Sequence, residues 1–336
     1  MKLRLLAAGL FLGVSLAVLA WLNQPRYTLE DLLGARRLAA SQWLDEGGPQ
    51  AQGLLRRGLT HPDPRVRARC LNSLDRVSDA QAVPGIVALL QDPDLNVRAM
   101  AARTLIHQRG WPSAEPLLAA LRAPGQEPRI RVYLLDALSQ AKTAEVVPDL
   151  VAAAANRSAT LSERMMGVQG LQRMQVSTVR PLLTAILLSP DEPSRLRGRA
   201  GMALGRCGAF DVLLSFLSQP GQDDRALAGA AHGFSGSPPT PEAQAVLMTL
   251  ARSAATPPLA RLSATRVLLK WEVEVPTKFL GELLLHHEER EIRKLAAELI
   301  PLSPDEEVWD AMFEAQETER SGEVRRTVNA AIGRLP

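Results

Sequence analysis

The residues best equipped for catalysis or metal binding are scarce in this 336-residue chain, which has five histidines and two cysteines. The densest cluster is His286-His287-Glu288-Glu289. Imidazole and carboxylate together can hold a transition metal, provided that several such pairs face one another. Neighbouring helical residues point about 100° apart, so one dipeptide cannot assemble a metal shell. The other histidines, His61, His107 and His232, are not followed by Glu. No glycine-rich phosphate loop, zinc-ligand spacing or nucleophile elbow occurs. The expectation is a chain with no catalytic residues, no metal ligands and no cofactor.

Arginine is the chemically capable residue that recurs with order. Arg67, Arg98, Arg131, Arg164, Arg197, Arg261, Arg293 and Arg325 each have an apolar residue seven positions later, from Leu74 to Ile332. Arg37 with Leu44 extends the series upstream, and Leu227 with Phe234 fills the one gap without an Arg. Successive markers lie 30 to 34 residues apart. Seven residues are two helical turns, so marker and apolar partner share a face. Three positions after the marker stand Ala40, Cys70, Ala101, Leu134, Gly167, Ala200, Ala230, Ala264, Ala296 and Val328. Mostly small side chains at one phase let neighbouring helices approach closely. A second marker agrees: Pro84, Pro116, Pro148 and Pro181 open the preceding helices at the same period, where a missing N–H costs nothing.

Residues 83–105, VPGIVALLQDPDLNVRAMAARTL, show the whole unit. An apolar helix opened by Pro84 breaks at Asp92-Pro93-Asp94, and a second amphipathic helix is entered through Val97-Arg98. Neither helix can bury its apolar face alone, so each unit requires copies on both sides. The pattern resembles the HEAT repeat family, and within it the short repeats of the phycobilisome-lyase type, over about residues 28–334. The resemblance implies an all-α, right-handed solenoid of about ten helical hairpins running as one body over residues 28–336. It also implies an Asp six residues before each marker that joins a ladder between units. Asp31, Asp92 and Asp191 match and Glu319 approximates, but His61, Gly125, Ser158, Ala255 and His287 depart, so the ladder is expected to be broken. The His-Glu pair is similar to those with which HEAT-type deoxyhypusine hydroxylases hold iron, though that site needs several pairs in facing repeats.

Composition fits: 46% apolar, 4% aromatic, and no clusters of strand-favouring residues. A net charge of +3 is too small to imply nucleic acid. Its distribution says more, with 21 Arg/Lys against 13 Asp/Glu over residues 50–210 and 4 against 13 over residues 282–323. Cys70 and Cys207 fall four copies apart, roughly 40 Å at ordinary helix spacing, so they cannot form a disulfide. Residues 233–241, GFSGSPPTP, read as a long inter-helix loop with a bend as the sharper possibility.

Residues 1–22 begin with Lys2 and Arg4 and then run uncharged from Leu5 to Leu22, long enough to span about 27 Å as a helix. They read as an uncleaved transmembrane anchor, followed by a short linker at residues 23–27; a cleaved signal peptide is the alternative. The basic start places the N-terminus inside and the repeats in the periplasm or outside the cell.

In HEAT arrays the second helices line the concave side. Positions two, five and nine after the marker should project there, because they avoid the apolar phases. They hold Arg69, Arg76, Arg103, His107, Tyr133, Gln140, Arg173, Arg199, Arg206, Arg266 and Lys270. Such a wall suits an acidic segment of a protein partner, held by charge-assisted guanidinium contacts. The expected function is therefore a membrane-tethered scaffold that is not an enzyme. Two alternatives stay open. One is a HEAT-like enzyme, bilin-lyase-like or using the His-Glu pair. The other is a nucleic-acid binder, against which the scarcity of aromatics argues.

Overall fold

The structure, a computed structural model, describes residues 27–108 and 113–335. Its regular elements are all helical among the described residues. They fall into two compact units that divide between Pro124 and Gly125. The expected anchor at residues 1–22 lies outside the described residues. Among those described, no helix is long and apolar enough to cross a membrane.

The first unit contains α1 (Arg37–Asp45), α2 (Pro49–Gly58), α3 (Pro64–Leu74), α4 (Val83–Ala88), α5 (Leu95–His107) and α6 (Glu115–Arg122). The second begins with α7 (Pro128–Gln140), α8 (Val147–Ala155), α9 (Leu161–Met174), α10 (Arg180–Leu188), α11 (Ser194–Arg206) and α12 (Phe210–Leu217). It continues with α13 (Asp224–His232), α14 (Pro241–Arg252), α15 (Pro258–Lys270), α16 (Phe279–His286), α17 (Arg290–Leu299), α18 (Asp310–Thr318) and α19 (Gly322–Ile332). From Arg67 onward the marker is the fourth residue of its helix in every copy, Leu227 in α13 included.

That regularity has a local cause. Asp63, Asp94, Glu127, Thr160, Asp223 and Ser321 each accept a hydrogen bond from a first-turn N–H, fixing where the second helix starts. Where α15 has only Pro257 at its cap, Asp224 of the preceding copy supplies the acceptor. Its carboxylate takes the N–H groups of Leu259 and Ala260 at 3.1 and 2.7 Å. The small-residue phase then lies in the core. Cys70, Ala101, Leu134, Ala200, Ala230, Ala264, Ala296 and Val328 are all fully buried.

The ladder is more complete than the sequence pattern suggests. Arg67 makes a two-pronged pair with Asp92 at 2.7 Å on each arm. Arg131 reaches Glu163, Arg164 reaches Glu192, Arg197 reaches Asp223, and Arg293 grips Glu319. Each acid belongs to the next copy, but its offset from that copy's marker drifts from six residues to one. A long guanidinium stem tolerates this drift, whereas a fixed-offset search does not. Asp191 fits the expected offset yet is exposed, and its neighbour Glu192 is the buried partner. The series is interrupted at Arg98, which donates to the Asp92 and Pro93 carbonyls of its own turn, and at Arg261, whose guanidinium lies 3.7 Å over the Phe279 ring and donates to the Ala251 carbonyl.

The stretch from Gly233 is less of a loop than its composition implies. Gly233–Gly236 forms a turn of 3-10 helix that buries Phe234 between Phe210 and Trp271. The Trp271 indole N–H donates to the Ser237 carbonyl at 3.0 Å, closing the turn. Beside it, α11 and α13 pack backbone to backbone. A Cβ on Gly201 would stand 2.7 Å from the Ala230 nitrogen, and one on Gly198 would stand 2.4 Å from the Arg225 carbonyl oxygen.

Candidate functional site: the second-helix face of the second unit

The tight α11–α13 contact draws the second helices together on one side. Arg225 in α13 reaches Glu291 in α17 at 3.3 Å, across the intervening α15. A cavity of about 410 Å³ opens at this place, and its lining runs from Met165 in α9 to Leu299 in α17. In a straight stack those two helices would stand about 35 Å apart, four intervals of 8–10 Å. The stack therefore curves inward on its second-helix side within this unit. Leu259, Leu262, Leu299, Met165 and Met202 make the apolar part of the lining. Arg199, Arg225, His232 and Arg266 make the polar part.

A second opening, of about 810 Å³, adjoins the first and shares His232, Arg266 and Leu299 with it. Arg206, Lys270, Lys294, Glu298, Glu323 and Arg326 stand around it. The two cavities make one groove along α11, α13, α15, α17 and α19. Much of its lining occupies the positions two, five and nine after each marker. Arg199, Met202 and Arg206 are these positions in α11, and Ser263, Arg266 and Lys270 are these positions in α15.

The acids of the groove already hold partners. Glu291 pairs with Arg225, Glu298 with Arg266 at 2.8 Å, and Glu323 with Lys294 at 2.7 Å. Arg195, Arg199, Arg206, Lys270 and Arg326 have no acidic partner among the described residues. Arg199 is half-buried, and burial alone pulls its guanidinium below the ordinary pKa. Burial also lowers His232, helped by the charges of Arg266, Lys270, Arg206 and Arg199. Desolvated positive charge that lacks a counter-charge is costly, and an entering carboxylate would relieve it.

Most of the remaining candidates are engaged elsewhere. In the first unit Arg76 pairs with Asp45, while Arg103 and His107 both reach Asp75 at 2.9 Å. Arg69 keeps a buried Nη1 without a partner, and burial and the nearby Arg37 and Arg65 lower its pKa. In the second unit Arg173 is held by Asp136 and Ser139, and Gln140 donates to the same Asp136. Tyr133 lies under the Arg129 guanidinium. Within the second unit the face thus separates into the neutralised segment around Asp136 and the uncompensated groove around Arg199 and Arg206.

His232, Met165 and Met202 also line the groove, though none of them is among the residues expected there from the sequence. The signal for two of them was present, since His232 and Met202 are both five positions after their markers. His232 belongs to the one copy without a marker Arg, and Met202 is apolar in a row that is otherwise mostly Arg. The His-Glu cluster is a helix junction: His287 accepts from the Glu289 N–H through Nδ1, and its carbonyl accepts from Arg293. Among the described residues no group of three or more His, Cys, Asp or Glu side chains could hold a metal ion.

Residues 51–125 match the family model described as HEAT repeats. No curated protein matches the chain by the same standard of comparison. Among solved structures, Kap95 in its complex with Nup1 is similar, with a TM-score of 0.51 at 12% identity over 96% of this chain and 53% of that one. Kap121p is similar with a TM-score of 0.49 at 13% identity, covering 94% of this chain and 42% of that one. The CpcE–CpcF phycocyanin lyase complex from Nostoc sp. gives 0.30 at 16% identity, covering 94% and 97%. The chain spans about half the length of the two Kap proteins. The likeness to Kap95 and the repeated helical pairs agree on one architecture: an all-helical solenoid of HEAT-type hairpins.

Proposed function

We propose that this chain is a membrane-tethered scaffold that binds a protein partner through an acidic segment laid along the second helices. The observation that carries the reading is the half-buried Arg199 beside His232, Arg206 and Lys270, with the neighbouring acids already paired. The curved face offers extended area and many guanidinium donors, which favours recognition of a chain segment over turnover of a small substrate. A solved structure of this fold, Kap95, is a complex with another protein, Nup1. The role is binding and not catalysis, and it requires no cofactor.

The apolar run from Leu5 to Leu22 supplies the tether. Lys2 and Arg4 keep the N-terminus inside, so the repeats work in the periplasm or outside the cell; cleavage of the run would instead release them as a secreted protein. A photocrosslinking residue at position 235, which lines the same opening as Arg206 and Lys270, should trap one recurrent partner in intact membranes. Arg206→Glu with Lys270→Glu should abolish the trapping, and trapping unchanged by the double reversal would refute the proposal. Protease added outside spheroplasts should digest the repeats, and full protection would reverse the assigned orientation.

A further inference from the structure

The groove is more than a charged surface, because its basic rim stands over an apolar recess. Leu259, Leu262 and Leu299 are buried in its floor, and Met165, Met202 and Leu295 are half-buried around them. At about 410 Å³ the recess is within the range of cavities that hold small ligands, and it is open to the groove. Arg199 and Arg195 border it on the α11 side, and Arg206 and Lys270 continue the cationic row beyond His232. We propose that this recess seats one large apolar side chain of an acidic peptide segment, while carboxylates on either side of that residue pair with Arg199, Arg206 and Lys270. This deepens the proposed function and rests on it.

The complementarity is specific in two respects. The rim cations have no acid of their own among the described residues, so carboxylates gain contacts without displacing internal pairs. The recess is lined by two methionines, whose flexible thioethers adapt to a guest and favour an aromatic edge. An all-polar acidic segment would satisfy the rim and leave the recess empty. A purely apolar segment would fill the recess and leave Arg199 desolvated. The preferred occupant therefore has a single Phe between acidic residues.

The test uses the full chain in detergent micelles and two fluorescein-labelled peptides, DDEEFEEDD and DDEESEEDD, measured by fluorescence anisotropy. The Phe peptide should bind at least about tenfold more tightly, the gain expected for burying one such side chain. Met202→Trp and Ser263→Phe each fill the recess from opposite walls, and either should erase the Phe advantage while leaving weaker, salt-sensitive binding. Unfolding midpoints establish that each variant folds, and two independent fillers guard against the loss of one. Arg206→Glu with Lys270→Glu should weaken both peptides alike. Equal affinity for the two peptides, with both lost on charge reversal, overturns the recess but spares the acidic-segment reading. Failure of both peptides to bind overturns the two together. Displacement of the Phe peptide by a lower concentration of a poly-dT oligonucleotide would assign the groove to nucleic acid and overturn the peptide.

Discussion

His232 shows how one side chain acquires a property from its neighbours. It is half-buried, and burial together with Arg266, Lys270, Arg206 and Arg199 moves its pKa below the ordinary 6.5. A base with a depressed folded pKa holds fewer protons folded than unfolded in the interval between the two values. Stability contributed by neutral His232 is therefore present at pH 7 and declines as pH falls through about 6.5. His232→Gln should flatten the pH dependence of the urea midpoint between pH 7 and 5.5 relative to wild type; parallel profiles would show that another group governs it. The cysteines make a second contrast. Burial pushes the Cys70 thiol up to about 12, whereas the half-buried Cys207 is raised by burial and partly offset by Arg180. At pH 8 a maleimide should label Cys207 first, and in Cys207→Ser the label should reach Cys70 only as the fold opens. Prompt labelling of Cys70 would contradict its placement in the core. The sequence placed Cys70 correctly because a phase shared by ten copies is strong information. His232 is harder to read, because its copy carries Leu227 where the others carry the marker Arg that sets the register.

At the scale of the helix pair, spacing in the sequence carries nearly all the geometry. The marker's constant fourth position follows from caps that are themselves readable, such as Asp63, Asp94 and Thr160. The ladder was harder to read, because Glu163, Glu192 and Asp223 sit at different offsets and only the fold shows that one arginine can reach each of them. Close packing of α11 on α13 was equally hidden, since nothing in the chain says which of its glycines face backbone. Gly201→Ala would put a Cβ 2.7 Å from the Ala230 nitrogen and should cost about 2 kcal/mol, as overpacking does. Gly53, inside α2, has nothing within 4 Å of its Cβ position. Gly53→Ala should instead stabilise by about 0.5–1 kcal/mol through helix propensity. Chemical denaturation of the two variants distinguishes packing from propensity, and equal effects would contradict the assigned contact.

For the chain as a whole, the contrast between a basic stretch and an acidic one is legible in the sequence, but its meaning changes once the helices are placed. Much of the acid between residues 282 and 323 is spent locally. Glu319 is gripped by Arg293, Glu307 by Lys278, and Glu323 by Lys294, so the acidic end serves as internal counter-charge as well as surface. Such pairs join each copy to the next, and in a repeat array stability is a sum of units and nearest-neighbour interfaces. Removing one pair should therefore be felt nearby and fade along the chain. Arg293→Ala leaves the buried Glu319 carboxylate without its guanidinium, a loss of about 3 kcal/mol at that interface. Hydrogen exchange should then quicken on the order of a hundredfold in the amides of α17 and α19, while those of α3 and α5 keep wild-type protection. If protection instead fell uniformly through α3, α5, α17 and α19, the chain would be unfolding as one cooperative body and the nearest-neighbour account would fail.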